Sequence, residues 1–235
     1  MLRGKGLLTP IQRSFIAEFA TLPDQAQFYL AGGTALAEYY LGHRLSFDLD
    51  FFTGEAPLIL PHSYQIEALG REGDLGVSVV RRFSTYVEFM VTREAESLKV
   101  DLAQDSPYRL EPPSRTRTGI WVSSLPDLRV DKLLAYFGRA EPRDAVDLYF
   151  ILQQASLDQL MAQAEQKDPG FDLYWFAVAL NRAADFPDEI ERWPVRMLQP
   201  LKPRELKAQF RELALQLMAR ITSDKLGAWP GENLT

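Results

Sequence analysis

Between Phe28 and Phe52 the chain reads FYLAGGTALAEYYLGHRLSFDLDFF, and this stretch constrains the fold more than any other. An apolar run ends in Gly32-Gly33, a helix is expected over residues 33–42, and the chain returns as a strand over 46–52 carrying Asp48 and Asp50. Paired glycines at a strand–helix turn let backbone N–H groups approach an anion with no side chain in the way. The first-turn amides of the following helix lie unpaired at the positive end of its dipole. Two aspartates two positions apart on a strand project to the same face. Hard carboxylate oxygens of that kind suit a divalent cation that also holds substrate phosphates. The unit therefore predicts a nucleoside triphosphate site with magnesium, with Phe47, Leu49 and Phe51 turned the other way into a core. A turn with two solvated acids is the bland alternative, and the ordered combination argues against it.

Composition narrows what else is possible. With 235 residues and 46% hydrophobic content, the chain can bury one large core or two smaller ones. It has no cysteine and only His43 and His62 as histidines, which excludes disulfides, thiolate metal sites and a His-rich zinc centre. Any metal must rest on carboxylates. The opening MLRGKGLLTPIQRS has no long apolar stretch, and no 18-residue apolar run follows. The expectation is no secretion signal, no membrane span and a cytoplasmic location. Net charge is −6, but residues 190–225 hold eight Lys/Arg against four acids, a local excess of +4. That segment predicts either a grip on a phosphate backbone or an ordinary solvated helix face.

Periodicity divides the chain near residue 125. Thr9, Pro10, Ile11, Phe15 and Phe19 predict a capped helix over 9–22. Strands are expected at 27–31, 46–52, 76–83, 85–92, 98–104 and 120–124, with a helix at 62–70. Helical spacing dominates afterwards, over 126–138, 142–154, 157–166, 172–184 and 203–223. The fold expected is α+β: residues 1–125 as a small mixed sheet flanked by helices, and 126–235 as a helical domain whose first helices contribute to the site.

Two further groups carry chemistry. Asp101 is a single acid in the apolar strand LKVDLAQ. If that strand pairs beside Asp48 and Asp50, three carboxylates converge as in two-metal phosphoryl transfer, and the third can take the proton of an attacking hydroxyl. In DKLLAYFGRAEPRDAVDLYFIL, Lys132 and Arg139 are two helical turns apart on one face, and Asp144 and Asp147 share a face of the next helix. A lysine steadied by an aspartate suits a triphosphate; a salt-bridged helix pair is the ordinary alternative. Tyr39 and Tyr40, with Phe47, could stack on a base or sit in the core. His43 and Arg44 could touch a phosphate or lie in a solvated loop. Trp175, Trp193 and Trp229 could mark an interface, although burial is the commoner fate.

The blocks GGTAL, HRLSFDLDFF, LKVDL and DKLLAYFGRAEPRDAVDLYFIL, in that order over roughly residues 25–155, resemble the AbiEii-type nucleotidyltransferase toxins of the polymerase-β-like superfamily. That resemblance implies the superfamily's small mixed sheet with a helical C-terminal domain. It implies transfer of a nucleoside monophosphate from an NTP, dependent on Mg2+ or Mn2+. It also implies tRNA, at its 3′ acceptor end, as the acceptor and an antitoxin protein as a partner. Matched by position, Gly32, Gly33 and Thr34 hold the triphosphate with Ser46. Asp48 and Asp50 bind metal, with Asp101 as third ligand. Lys132 is the essential lysine, and Asp144 with Asp147 forms the last acidic motif, beside Arg139 and Arg143. Catalytic work then falls to Asp48, Asp50, Asp101, Lys132 and Asp144. Relatives often carry lysine where this chain has Arg143, and serine where it has Thr34; a threonine hydroxyl donates the same bond. The competing readings are transfer to a protein or a small molecule, and a non-catalytic nucleotide-binding module acting through a partner.

Overall fold

The computed structural model describes residues 1–72 and 74–227, with no side-chain description for Glu72 or for 224–227. Two units are distinct: Met1–Asp131 with Arg196–Gln199, and Lys132–Val195 with the chain from Pro200 onward.

The first unit opens with α1 (Pro10–Phe19). Thr9 and Gln12 close a capping box at its start, and Pro10 occupies the first turn. Strand β1 (Tyr29–Ala31) leads into the four-residue α2 (Gly32–Ala35), which continues as a π-helical turn over Leu36–Leu41. The expected single helix is thus widened halfway, and it ends where Gly42 takes φ +65°. Then come β2 (Arg44–Leu45), β3 (Leu49–Thr53) and α3 (Ile59–Glu72). Three longer strands follow: β4 (Gly76–Arg82), β5 (Tyr86–Arg93) and β6 (Glu96–Gln104). The short β7 (Ser114–Arg115) and β8 (Trp121–Val122) precede α4 (Leu125–Arg139), the helix in which the two units meet along the chain.

Seven strands form one mixed sheet in the order β4-β5-β6-β3-β1-β8-β7. The pairs β3–β6 and β1–β8 are parallel and the others antiparallel. On β5 and β6 the apolar side chains alternate cleanly: Val87, Phe89, Val91, Leu98, Val100 and Leu102 are buried, while their neighbours are only partly covered. Phe19 stacks on Phe51 at 4.0 Å between ring centres and meets Phe28 edge-on, forming the aromatic centre of the core. His62 joins it, stacked on Phe28 at 4.2 Å. His62 is buried, and burial lowers its pKa to about 4 against the opposing pull of hydrogen bonding to Gln65.

Two expectations fail here for a shared reason. The acidic strand begins at Leu49 rather than at residue 46, so Phe47 lies outside the sheet alternation and is half exposed instead of packed in the core. The bonds that hold Ser46–Asp48 come from other elements, which period-two reasoning cannot register.

In the second unit α5 (Pro142–Leu152), α6 (Leu157–Lys167), α7 (Leu173–Asn181) and α8 (Pro203–Gly227) account for most residues. Pro142 starts α5, and Asp172 caps α7 through the Trp175 N–H at 2.9 Å. Tyr136, Phe176 and Phe210 are fully buried, with Tyr136 donating to the Ala179 carbonyl at 3.0 Å. Trp193 is buried, Trp175 is largely exposed, and Trp229 lies outside the described residues. Between the helical stretches, β9 (Arg196–Met197) pairs antiparallel with β2 and belongs to the first unit. None of the helices among the described residues is long and apolar enough to cross a membrane.

Candidate active site

The site in the first unit is built at the C-terminal end of β1. Ala31 faces Asp50 across the β1–β3 pair, and Asp50 faces Asp101 across the parallel β3–β6 pair. Neighbouring strands in register present side chains to one face, so these two carboxylates are adjacent on the sheet. Gly32 takes φ +64°, and a Cβ placed there would lie 1.9 Å from Asp50 Oδ2. No other residue satisfies both demands: the left-handed backbone disfavours a side chain, and the Asp50 carboxylate occupies the volume a Cβ would fill. Glycine at 32 therefore joins the turn directly to the acid.

Gly33 is equally crowded. A Cβ there would stand 2.7 Å from Arg44 Nη2 and 2.8 Å from Ser46 Oγ. Arg44 is nearly fully buried, so the solvated-loop alternative for His43 and Arg44 fails; both are buried. Their strand, β2, is pinned by β9. The loop before β3 is tied on two sides: Thr34 Oγ1 donates to the Asp48 carbonyl, and Gln12 Nε2 donates to the Ser46 carbonyl at 3.0 Å. The Thr34 hydroxyl thus fixes the backbone that presents Asp48, where the sequence predicted a bond to a phosphate. Tyr39 is buried and Tyr40 donates to the Ser123 carbonyl at 2.8 Å, so both are spent on packing and structure.

Asp101 is held differently. Tyr86 donates its hydroxyl to Oδ1 at 3.0 Å, and the Lys99 ammonium lies 2.7 Å from Oδ2. Tyr86 also reaches Glu88 at 3.1 Å. Burial, then its bonds to the two carboxylates, raise the Tyr86 pKa well above the usual phenol range and keep it a donor. Among the described residues no group of three His, Asp or Glu side chains is gathered to hold a metal ion. Asp48 and Asp50 nevertheless have the chemistry for a hard divalent cation, and the space that Gly32 leaves open is the space where the Asp50 carboxylate sits.

The second unit holds its own cluster. Lys132 is buried, with Nζ 2.7 Å from Asp147 Oδ2 and 4.0 Å from Asp144 Oδ1. Asp144 and Asp147 are fully buried. Arg139 grips Asp144 with two bonds, Nε at 2.5 Å and Nη2 at 2.8 Å. The helix reversal that permits this is Ala140 at φ +49°, after which Pro142 starts α5. Arg143 donates to Glu141 at 3.0 Å. The lysine is steadied by Asp147, and Asp144 is fixed by Arg139.

Lys99 and Tyr86 were not singled out as site residues by sequence alone. Lys99 had a readable signal, since it stands two positions before Asp101 on one strand and must share its face. Tyr86 had none, because its place depends on the β5–β6 register.

This geometry has parallels. The profile described as "Nucleotidyl transferase AbiEii toxin, Type IV TA system" matches residues 14–224. The chain belongs to the AbiEii nucleotidyltransferase toxin family. A curated relative, an uncharacterized protein of Aquifex aeolicus (strain VF5), is 31% identical over 150 residues, covering 63% of this chain and 68% of that protein. Among solved structures, a candidate nucleotidyltransferase from H. pylori superposes with a TM-score of 0.60 at 17% identity, covering 90% of this chain and 93% of the other. MenT4, a nucleotidyltransferase toxin of Mycobacterium tuberculosis H37Rv, gives 0.55 at 19% identity over 90% of each chain. At such identities these structures establish the nucleotidyltransferase fold, and family membership makes this AbiEii-family protein a nucleotidyltransferase.

Proposed function

We propose that this AbiEii-family enzyme transfers a nucleoside monophosphate from an NTP to the 3′-terminal hydroxyl of tRNA, with Mg2+ bound by Asp48 and Asp50, as the toxin of a toxin–antitoxin pair in the cytoplasm. The observation that carries the reading is the fit of Gly32 against Asp50, which couples an anion-binding turn to a cation-binding acid within one backbone unit.

In this reading the triphosphate lies along the Gly32–Gly33 turn, with Arg44 and Ser46 set against Gly33. When bound, the divalent cation neutralises phosphate charge and polarises the α-phosphorus. The acceptor oxygen attacks that phosphorus in line, and the bond to pyrophosphate breaks. The acceptor proton passes to a site carboxylate, Asp50 or Asp101. Lys132, steadied by Asp147, is assigned the charge of the leaving pyrophosphate; Asp144 and Arg139 hold the helix pair that presents it. Residues 1–125 would carry the nucleotide chemistry and 126–235 the lysine motif, with an antitoxin protein as the opposing partner.

One observation favours a second acceptor class. The basic segment expected to grip RNA is internally compensated: Lys207 lies 2.8 Å from Asp188, Arg204 3.2 Å from the same residue, and Lys202 2.7 Å from Glu205. The adjacent hollow is lined by Asp188, Glu189, Glu191 and Glu205 against Lys202 and Arg204. An acid-rich surface suits a cationic small molecule or protein better than a polyanion.

The test is label transfer. The protein is incubated with Mg2+, total tRNA and each α-labelled NTP in turn, beside Asp48→Ala. Label on tRNA that disappears in the variant supports the reading and names the nucleotide. Bound NTP without labelled tRNA moves the acceptor to the second class.

A further inference from the structure

The face of the sheet that carries Asp50 and Asp101 holds a cation of its own. The Lys99 ammonium lies 2.7 Å from Asp101 Oδ2. Glu88 is the register partner of Asp101 on β5 and shares the Tyr86 hydroxyl with it. Lys99 therefore collects the negative charge that a second divalent ion would need. Asp101 has one oxygen on that ammonium and the other on Tyr86. A dication bridging from Asp50 to Asp101 would have to displace the ammonium or sit within a few ångströms of it, and two like charges that close repel strongly in a partly buried site.

We propose that Lys99 is a built-in replacement for the second metal, so that the enzyme binds a single divalent cation at Asp48 and Asp50 while Asp101 anchors Lys99 in place of a metal. This rests on the nucleotidyl-transfer reading only for the single cation at Asp48 and Asp50. The consequence is an ammonium held beside Asp101 on the sheet, present before nucleotide arrives and independent of metal supply.

Mn2+ binding tests this without recourse to turnover. The full chain is titrated with Mn2+ in the presence of a saturating α,β-methylene NTP analogue, and free Mn2+ is followed by its electron paramagnetic resonance signal. The nucleotide's own binding is subtracted. The expected result is one protein-bound Mn2+ per chain. Asp101→Asn leaves its affinity close to that of the unaltered chain, whereas Asp50→Asn, or Asp48→Asn should the former fail to fold, weakens it by at least about tenfold. Lys99→Met, which frees Asp101 Oδ2, is expected to admit a second and weaker Mn2+. Two Mn2+ on the unaltered chain, or a loss with Asp101→Asn as large as with Asp50→Asn, overturns the proposal and leaves the nucleotidyl-transfer reading standing. No bound Mn2+ at all, with the analogue held, sinks both.

Discussion

The carboxylates of the two units live under opposite conditions. In the first unit Asp48, Asp50 and Asp101 are only partly covered, and they stand on or beside strands of a sheet whose other face is a dry core. In the second unit Asp144 and Asp147 are wholly buried and answered at close range by Lys132 and Arg139. Partly hydrated acids can exchange water for a cation or a substrate at modest cost. Buried, paired ions do so only at a larger cost, because drawing one charge away leaves its neighbour uncompensated. One cluster is thus open to water, and the other is braced by its own charges.

That difference can be broken most severely at the acids of the first unit. Asp48→Ala is expected to lower nucleotidyl transfer by at least about 100-fold with little change in Tm; a protein that melts early and keeps its activity would reverse the comparison. Asp147→Ala is expected to act the other way. Leaving Lys132 buried without its nearest carboxylate should cost about 3–5 kcal/mol, or about 10 °C in Tm for a chain of this size. Pairing it with Lys132→Met should restore much of that stability while transfer stays lost, which separates the structural role of the pair from the chemical role of the lysine.

A smaller effect belongs to the first unit's core. The His62 pKa is lowered from 6.5 in the unfolded chain to about 4 when folded, with burial the main cause and the Gln65 hydrogen bond and then the Asp24 charge opposing it. A depressed histidine favours folding above the unfolded value. That stability is lost as pH falls below about 6.5, because the unfolded chain takes up the proton first. The loss should reach about 2 kcal/mol at pH 5 by linkage, seen as a fall in the urea midpoint between pH 7 and 5. His62→Phe should flatten that fall; an unchanged slope would assign it to other groups.

The smallest effect is expected at the α8 surface. Neutralising Lys202, Arg204 and Lys207 together removes exposed pairs with Asp188 and Glu205, and such pairs contribute little to stability. Tm should hold. If tRNA is the acceptor and these residues meet it, labelling should weaken and its salt dependence flatten. Unchanged labelling would exclude them from acceptor binding.

Much of the site was readable because it is local. Gly32, Asp48 and Asp50 fall within one strand–turn–strand unit, and period-two alternation places Lys99 on the same face as Asp101. The Asp101 strand lies beside β3, as the three-carboxylate arrangement required. What alternation could not show is that the Asp101 oxygens are already engaged, that Thr34 ties the Asp48 backbone, or that Phe47 stays outside the sheet.

The sequence by itself determined the elements and their chemistry: the capped first helix, the glycine turn, the acids at spacing two, and the helix reversal that carries Lys132, Arg139, Asp144 and Asp147. These depend on propensity and periodicity, which act over a few residues. Only the tertiary structure decided which charges meet. The parallel pairing of β3 with β6, the return of β9 to β2 and the fit of a carboxylate against a missing Cβ join residues far apart in the chain. Their cause is the close packing of a buried sheet, where one register satisfies both the backbone hydrogen bonds and the core.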